Sequence, residues 1–241
     1  MNADAAAPIA KDRLIVALDV PSAAQARDLA AQFRGMCRWV KVGLELYLAA
    51  GSSIVEELAA QGFSVFLDLK FHDIPNTVAG AVRSAASMGA SLLTIHAAGG
   101  PAMLSAAAEA AAASPNSPRL LAVTVLTSMD RAQLAAVGID ASAADQVLRL
   151  ARMATASGMQ GLVCSAEEVQ MLRQELGADP SLVVPGIRPA GAAAGDQKRI
   201  AAPADAIRAG ASKLVVGRPI TQAADPAKAA QAILDEIANA K

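Results

Sequence analysis

Eight short runs of aliphatic and β-branched residues, separated by longer helix-favouring segments, limit this chain to very few folds. The runs are Leu14–Leu18, Trp39–Val42, Val65–Leu69, Leu92–Ile95, Leu120–Val125, Gly161–Cys164, Leu182–Val184 and Leu214–Val216. Helices are predicted between them at Ala23–Phe33, Ile54–Gln61, Val78–Met88, Ala102–Ala113, Ala143–Ser157, Ala166–Leu176 and Ala204–Ala209, with Ala227–Ala240 last. Ser22, Ser165 ahead of Glu167 and Glu168, and Asp225 ahead of Pro226 supply helix-start signals. Strands that are apolar throughout, and not on alternate residues, are covered on both faces. Joined by helices, they form a parallel sheet. Eight such units in 241 residues match a closed barrel, so the expected class is α/β, a (β/α)8 TIM barrel. An open doubly wound sheet is the alternative, but no GxGxxG follows the first run. Residues 1–10 read as a disordered tail, 11–241 as a single barrel domain, and Ser114–Pro118 as a loop.

Aromatic residues make up only 2% of the chain, so the core must be built from Ala, Val, Leu and Ile. A net charge of −1 gives no basic surplus for phosphate backbones and argues against a nucleic-acid binder. Cys37 and Cys164 form no C-x-x-C pair, so neither a disulfide framework nor a cysteine zinc site is expected. The first residues lack the basic and apolar regions of a secretory signal, and no run is long enough to span a membrane. A soluble, cytoplasmic protein is expected.

Barrel enzymes place their chemistry where strands end, and here those ends are polar. The first run leads to Asp19, the second holds Lys41, and the third holds Asp68 and Lys70. His96 ends the fourth, Thr127 and Ser128 follow the fifth, Arg188 the seventh, and Gly217-Arg218 the eighth. Only one mouth of a barrel could gather residues from so many strands. Asp68 and Lys70, two apart on a strand, share a face; with Lys41 and Asp73 they could form an alternating Lys-Asp-Lys-Asp array. A structural ion-pair network is the competing explanation. Gly217 and Arg218 suit an anion, because glycine admits main-chain N–H groups and arginine offers forked donors. Pro189–Gly195 could close over a ligand, with Gln197 reaching across it. His72 and His96 lack metal-site spacing and read as loop-orienting and hydrogen-bonded groups, so no metal is expected. Ser165 lacks a nucleophile elbow.

The strings ALDV (17–20), KVG (41–43), DLKFHDIPNT (68–77), VTVLTSM (123–129), VVPGIRP (183–189), GDQKR (195–199) and VVGRPIT (215–221) resemble the bacterial orotidine 5′-phosphate decarboxylase family, in order and over nearly the whole chain. The resemblance implies decarboxylation of orotidine 5′-monophosphate to UMP without cofactor or metal, by a homodimer with active sites at its interface. It implies that Lys70 is the proton donor and Asp68 the carboxylate beside the departing group. By the same resemblance Lys41 and Asp19 belong at the ribose, Ile74 among the substrate-binding residues, and Asp73 and Thr77 come from the partner subunit. The resemblance likewise implies that Thr127 and Ser128 contact the pyrimidine and that Arg188, Gln197, Gly217 and Arg218 hold the phosphate. Three other readings stay open on the residues: a Schiff-base aldolase using Lys70, a metal-dependent phosphosugar decarboxylase, and a non-catalytic phosphate sensor.

Overall fold

All eight apolar runs form strands: β1 Leu14–Ala17, β2 Trp39–Gly43, β3 Ser64–Phe71, β4 Ala90–His96, β5 Arg119–Val123, β6 Gly161–Val163, β7 Ser181–Val184 and β8 Lys213–Val216. In the computed structural model, which describes residues 10–189 and 199–240, they pair in chain order. The barrel closes where Leu14 of β1 stands opposite Leu214 of β8, and every neighbouring pair is parallel. The architecture is a (β/α)8 TIM barrel.

Helices occupy the predicted crossovers. Ser22 caps Ala23–Phe33 by accepting the Gln25 N–H, and Asp225 caps Pro226–Asn239 by accepting the Lys228 N–H. Three further helices, Leu44–Ala50, Arg131–Ala136 and the four-residue Arg218–Thr221, are not announced by periodicity. The first follows β2 directly and leaves Leu44 and Leu48 in solvent, which breaks the amphipathic pattern. The second spans six residues, fewer than two turns, and is held by a capping box between Asp130 and Gln133. Residues 10–13 are helical with Ala10 buried, while residues 1–9 of the predicted tail lie outside the described residues.

The strand alternation separates two cores. Outward residues such as Leu14, Val16, Val40, Val42, Leu93 and Leu214 pack beneath the helices. Inward residues Ile15, Ala17, Trp39, Phe66, Leu92, Leu121, Val183 and Val215 fill the barrel itself. Gly161 is obligatory in that filling, since a Cβ there would lie 2.5 Å from the Ser181 carbonyl and 2.6 Å from Leu121.

At the floor of the barrel the Lys213 ammonium sits 4.3 Å from the Trp39 ring centroid and donates to the Asp12 carbonyl. Burial pushes this amine down to about 8, with Arg38, Arg119 and Arg13 adding to the effect against Asp12. The emission of Trp39, the sole tryptophan, is therefore expected to titrate with a midpoint near 8. The step should be absent in Lys213→Met; a native profile flat from pH 6 to 10 would refute the contact's role in the titration.

Candidate active site

The inward register that builds the apolar plug also builds the site. Two residues beyond Ala17, Trp39, Phe66 and Leu92, on the same face of their strands, come Asp19, Lys41, Asp68 and Thr94. The corresponding positions beyond Leu121, Val183 and Val215 are Val123, Pro185 and Gly217. This inward ring is thus polar on the β1–β4 side and uncharged on the β5–β8 side, where polar groups come instead from the loops that follow the strands.

The charged side is a continuous chain of contacts. Lys41 Nζ lies 2.8 Å from Asp19 Oδ1 and 3.5 Å from Asp68 Oδ2, and Lys70 Nζ lies 2.8 Å from Asp68 Oδ1. Burial pushes the Asp68 carboxyl up, but Lys41 and Lys70, with hydrogen bonds from Lys70 and Thr94, outweigh it. They hold the group below the usual carboxylate range. Gly43 makes room for this chain, because a Cβ there would come within 2.9 Å of both Asp19 Oδ1 and Lys41 Nζ. Lys70 is the one non-glycine residue in the left-handed region among the described residues, at φ 50°. Such a conformation costs about 1–3 kcal/mol and persists only where surrounding contacts enforce it.

These groups open onto a cavity of about 570 Å³ whose walls also include Thr127, Ser128, Arg188, Gly217 and Arg218. Its size is that of a small-ligand pocket. Of the candidate residues, Asp19, Lys41, Asp68, Lys70, Thr127, Ser128, Arg188, Gly217 and Arg218 therefore converge on one space. Asp73, Ile74 and Thr77 do not line it; they stand exposed where β3 passes into the helix Pro75–Ser87, with Ile74 66% exposed. Gln197 and residues 190–195 of the predicted lid lie outside the described residues.

The histidines stack on each other, ring centroids 5.2 Å apart, and His96 Nδ1 accepts the Ala98 N–H. Burial, His72 and Lys70 together hold the His96 ring below the usual histidine range. Both cysteines are buried free thiols, and burial pushes them up to about 11 for Cys37 and about 12 for Cys164, so neither is a ready nucleophile. No group of three or more His, Cys, Asp or Glu residues is placed to hold a metal among the described residues.

Two residues of consequence carry little sequence signal. Thr94, fully buried on β4, hydrogen-bonds both Lys70 and Asp68; counting two residues on from Leu92 would have found it. Arg199 forms a buried ion pair with Glu168, and its guanidinium also donates to Ser165 Oγ and to the carbonyls of Val125 and Leu126. It thereby fixes the loop carrying Thr127 and Ser128 to the segment that ends the β7 loop, across 73 and 74 residues of sequence. No local pattern could announce such a contact. Arg199→Met leaves Glu168 buried and unpaired and is expected to cost about 3–5 kcal/mol in unfolding free energy. Chemical denaturation measures it, and a change below about 1 kcal/mol would show that the pair is solvated.

Known proteins resemble this chain in sequence and in fold. The family model described as Orotidine 5'-phosphate decarboxylase / HUMPS family matches residues 12–233. A protein of Halorhodospira halophila named orotidine 5′-phosphate decarboxylase is 57% identical over 229 residues, covering 95% of this chain and 97% of its own. One of the same name from Nitrosococcus oceani is 53% identical over 230 residues, covering 95% and 99%. The crystal structure of orotidine 5′-phosphate decarboxylase from Lactobacillus acidophilus superposes with a TM-score of 0.83 at 40% identity, over 94% of this chain and 99% of that one. That from Pyrococcus horikoshii superposes with a TM-score of 0.74 at 26% identity, over 93% and 98%. With the family model matched over residues 12–233 and relatives 57% and 53% identical over 95% of its length, the chain belongs to the orotidine 5′-phosphate decarboxylase / HUMPS family.

Proposed function

We propose that this chain decarboxylates orotidine 5′-monophosphate to UMP and carbon dioxide, the last step of de novo UMP biosynthesis. The observation that carries the reading is the Lys70 ammonium held against Asp68 at 2.8 Å inside a cavity also walled by Arg188 and Arg218. The family description also covers other members, and the names of the 57% and 53% identical relatives favour the nucleotide decarboxylase.

The reaction breaks the bond between a pyrimidine ring carbon and its carboxylate. The electron pair stays on that carbon in an in-plane orbital which the ring π system cannot delocalise. A fixed ammonium beside the carbon stabilises the pair as it forms and then donates a proton to it, while carbon dioxide departs. Lys70 is the group we assign to both steps; its neutral amine regains a proton from solvent. Asp68 is assigned to the position beside the substrate carboxylate. Two like charges about 4 Å apart at an effective dielectric near 20 repel by roughly 4 kcal/mol, and the repulsion fades as the carboxylate becomes neutral. Preorganised attraction by Lys70 ranks above this ground-state effect. Lys41 and Asp19 are assigned to the ribose, and Thr127 and Ser128 to the pyrimidine. No cofactor or metal is assigned a role.

Arg188, Gly217 and Arg218, with Gln197, are assigned to the phosphate. A Cβ on Gly217 would meet nothing closer than 3.5 Å, so the glycine leaves its main chain open to an approaching phosphate. Arg218→Ala is expected to weaken UMP about 10²-fold through loss of charge-assisted bonds while leaving uridine affinity unchanged. Calorimetry with both ligands tests it, and an unchanged UMP affinity refutes the phosphate assignment.

We further propose a cytoplasmic homodimer in which Asp73, Ile74 and Thr77 enter the partner's site. In support, these residues stand outside their own cavity, and Leu44 (53% exposed), Leu48 (82%) and Ile74 (66%) offer apolar surface where the chain leaves β2 and β3. The deciding experiment mixes the purified protein with orotidine 5′-monophosphate in the presence of a chelator. Loss of the orotate ultraviolet absorbance is expected; a stable chromophore, or turnover only after magnesium is added, would overturn the cofactor-free decarboxylase.

A further inference from the structure

The β3–β4 ladder is broken at the site. Leu67 pairs with Leu93, and the next pair is Phe71 with Ile95, so Asp68, Leu69 and Lys70 together face the single residue Thr94. Two extra residues on one strand leave main-chain groups without their regular partners. The Lys70 N–H is one of these, and it donates to Thr94 Oγ1 at 2.9 Å. The same hydroxyl donates its own proton to Asp68 Oδ1 at 3.0 Å, and that carboxylate oxygen accepts Lys70 Nζ at 2.8 Å. A closed ring of contacts thus runs from the Lys70 main chain through Thr94 and Asp68 back to the Lys70 ammonium. It holds the residue at φ 50°, a conformation that a lysine does not adopt unaided.

We infer that Thr94 is a positioning residue for the chemical step. Its hydroxyl replaces the missing ladder acceptor of Lys70 and orients Asp68 toward the ammonium, so one side chain sets both charged groups of the reaction. Thr94 is fully buried beneath those groups, and the charged chain to Lys41 and Asp19 runs through Asp68 rather than through Thr94. Nucleotide binding therefore does not depend on it directly. The inference rests on the decarboxylase reading above.

Thr94→Val keeps the volume and the β-branching and removes the hydroxyl; Thr94→Ser keeps the hydroxyl. With orotidine 5′-monophosphate as substrate, Thr94→Val is expected to lower kcat about 30- to 100-fold, the scale of a misplacement near 1 Å. Its affinity for UMP, measured by calorimetry, should stay within about twofold of native, and Thr94→Ser should recover most of kcat. Should Thr94→Val fail to fold, Thr94→Ala must give the same division between kcat and UMP affinity. A Thr94→Val kcat within twofold of native, a parallel fall in kcat and UMP affinity, or a Thr94→Ser protein as impaired as Thr94→Val would each overturn the assignment. Native turnover in the same assay separates the two claims. Its absence refutes the decarboxylase reading, whereas native turnover with unimpaired Thr94→Val refutes the role of Thr94 alone.

Discussion

Lys70→Ala is expected to turn over orotidine 5′-monophosphate at least about 10⁴-fold more slowly than the native chain, because one substitution removes both the stabilising charge and the proton donor. The variant should discriminate between two nucleotides that differ only in a carboxylate. UMP, lacking it, meets the same phosphate and ribose groups and should bind with near-native affinity. The substrate would face Asp68 with no ammonium between the two negative charges, and its affinity should fall. Lys41 still pairs with Asp68 on its far oxygen at 3.5 Å, so the carboxylate remains ionised and repulsive. Stopped-flow or progress-curve turnover, with separate titrations of UMP and substrate, measures each effect. Near-native turnover in Lys70→Ala would remove the lysine from both roles, and the structural ion-pair reading of the Asp-Lys chain would stand instead.

Asp73→Ala is expected to be nearly inactive as well, although Asp73 lies outside the cavity of its own subunit. The informative measurement is a mixture. In an isologous dimer each site would combine Lys70 from one subunit with Asp73 from the other. Random exchange between Lys70→Ala and Asp73→Ala subunits makes about half of all dimers mixed, each with one intact site, which restores about a quarter of native activity. Recovery should follow the kinetics of subunit exchange and be lost if the subunits are cross-linked before mixing. No recovery under conditions where exchange is shown by a mass or fluorescence label would refute the shared site. The exposed Leu44, Leu48 and Ile74 give a second handle, since a charge placed at Leu48 should shift the protein toward monomer and lower activity with dilution.

The barrel was legible because its information is local. A strand covered on both faces must be apolar throughout, and a crossover helix must carry caps and a period near 3.6. All eight runs and the helices Ala23–Phe33 and Ala166–Leu176 stand where those patterns place them. The helices Leu44–Ala50 and Arg131–Ala136 escaped, one because its leucines face outward and the other because six residues show no period.

The site divides in the same way. Alternation along a strand put Asp68 and Lys70 on one face, and the rule that barrels act where their strands end gathered Asp19, Lys41, Thr127, Arg188 and Arg218. What the chain order could not contain was the closing geometry. The missing ladder partners beside Thr94, the left-handed lysine and the guanidinium of Arg199 spanning two loops each depend on which residues meet across the barrel. Periodicity encodes the direction in which a side chain points from its own backbone, and so sequence alone determined strands, faces and the mouth that carries the charges. Distances and strain arise between segments far apart in sequence, whose register is set by packing of the whole barrel, and only the tertiary structure decided those.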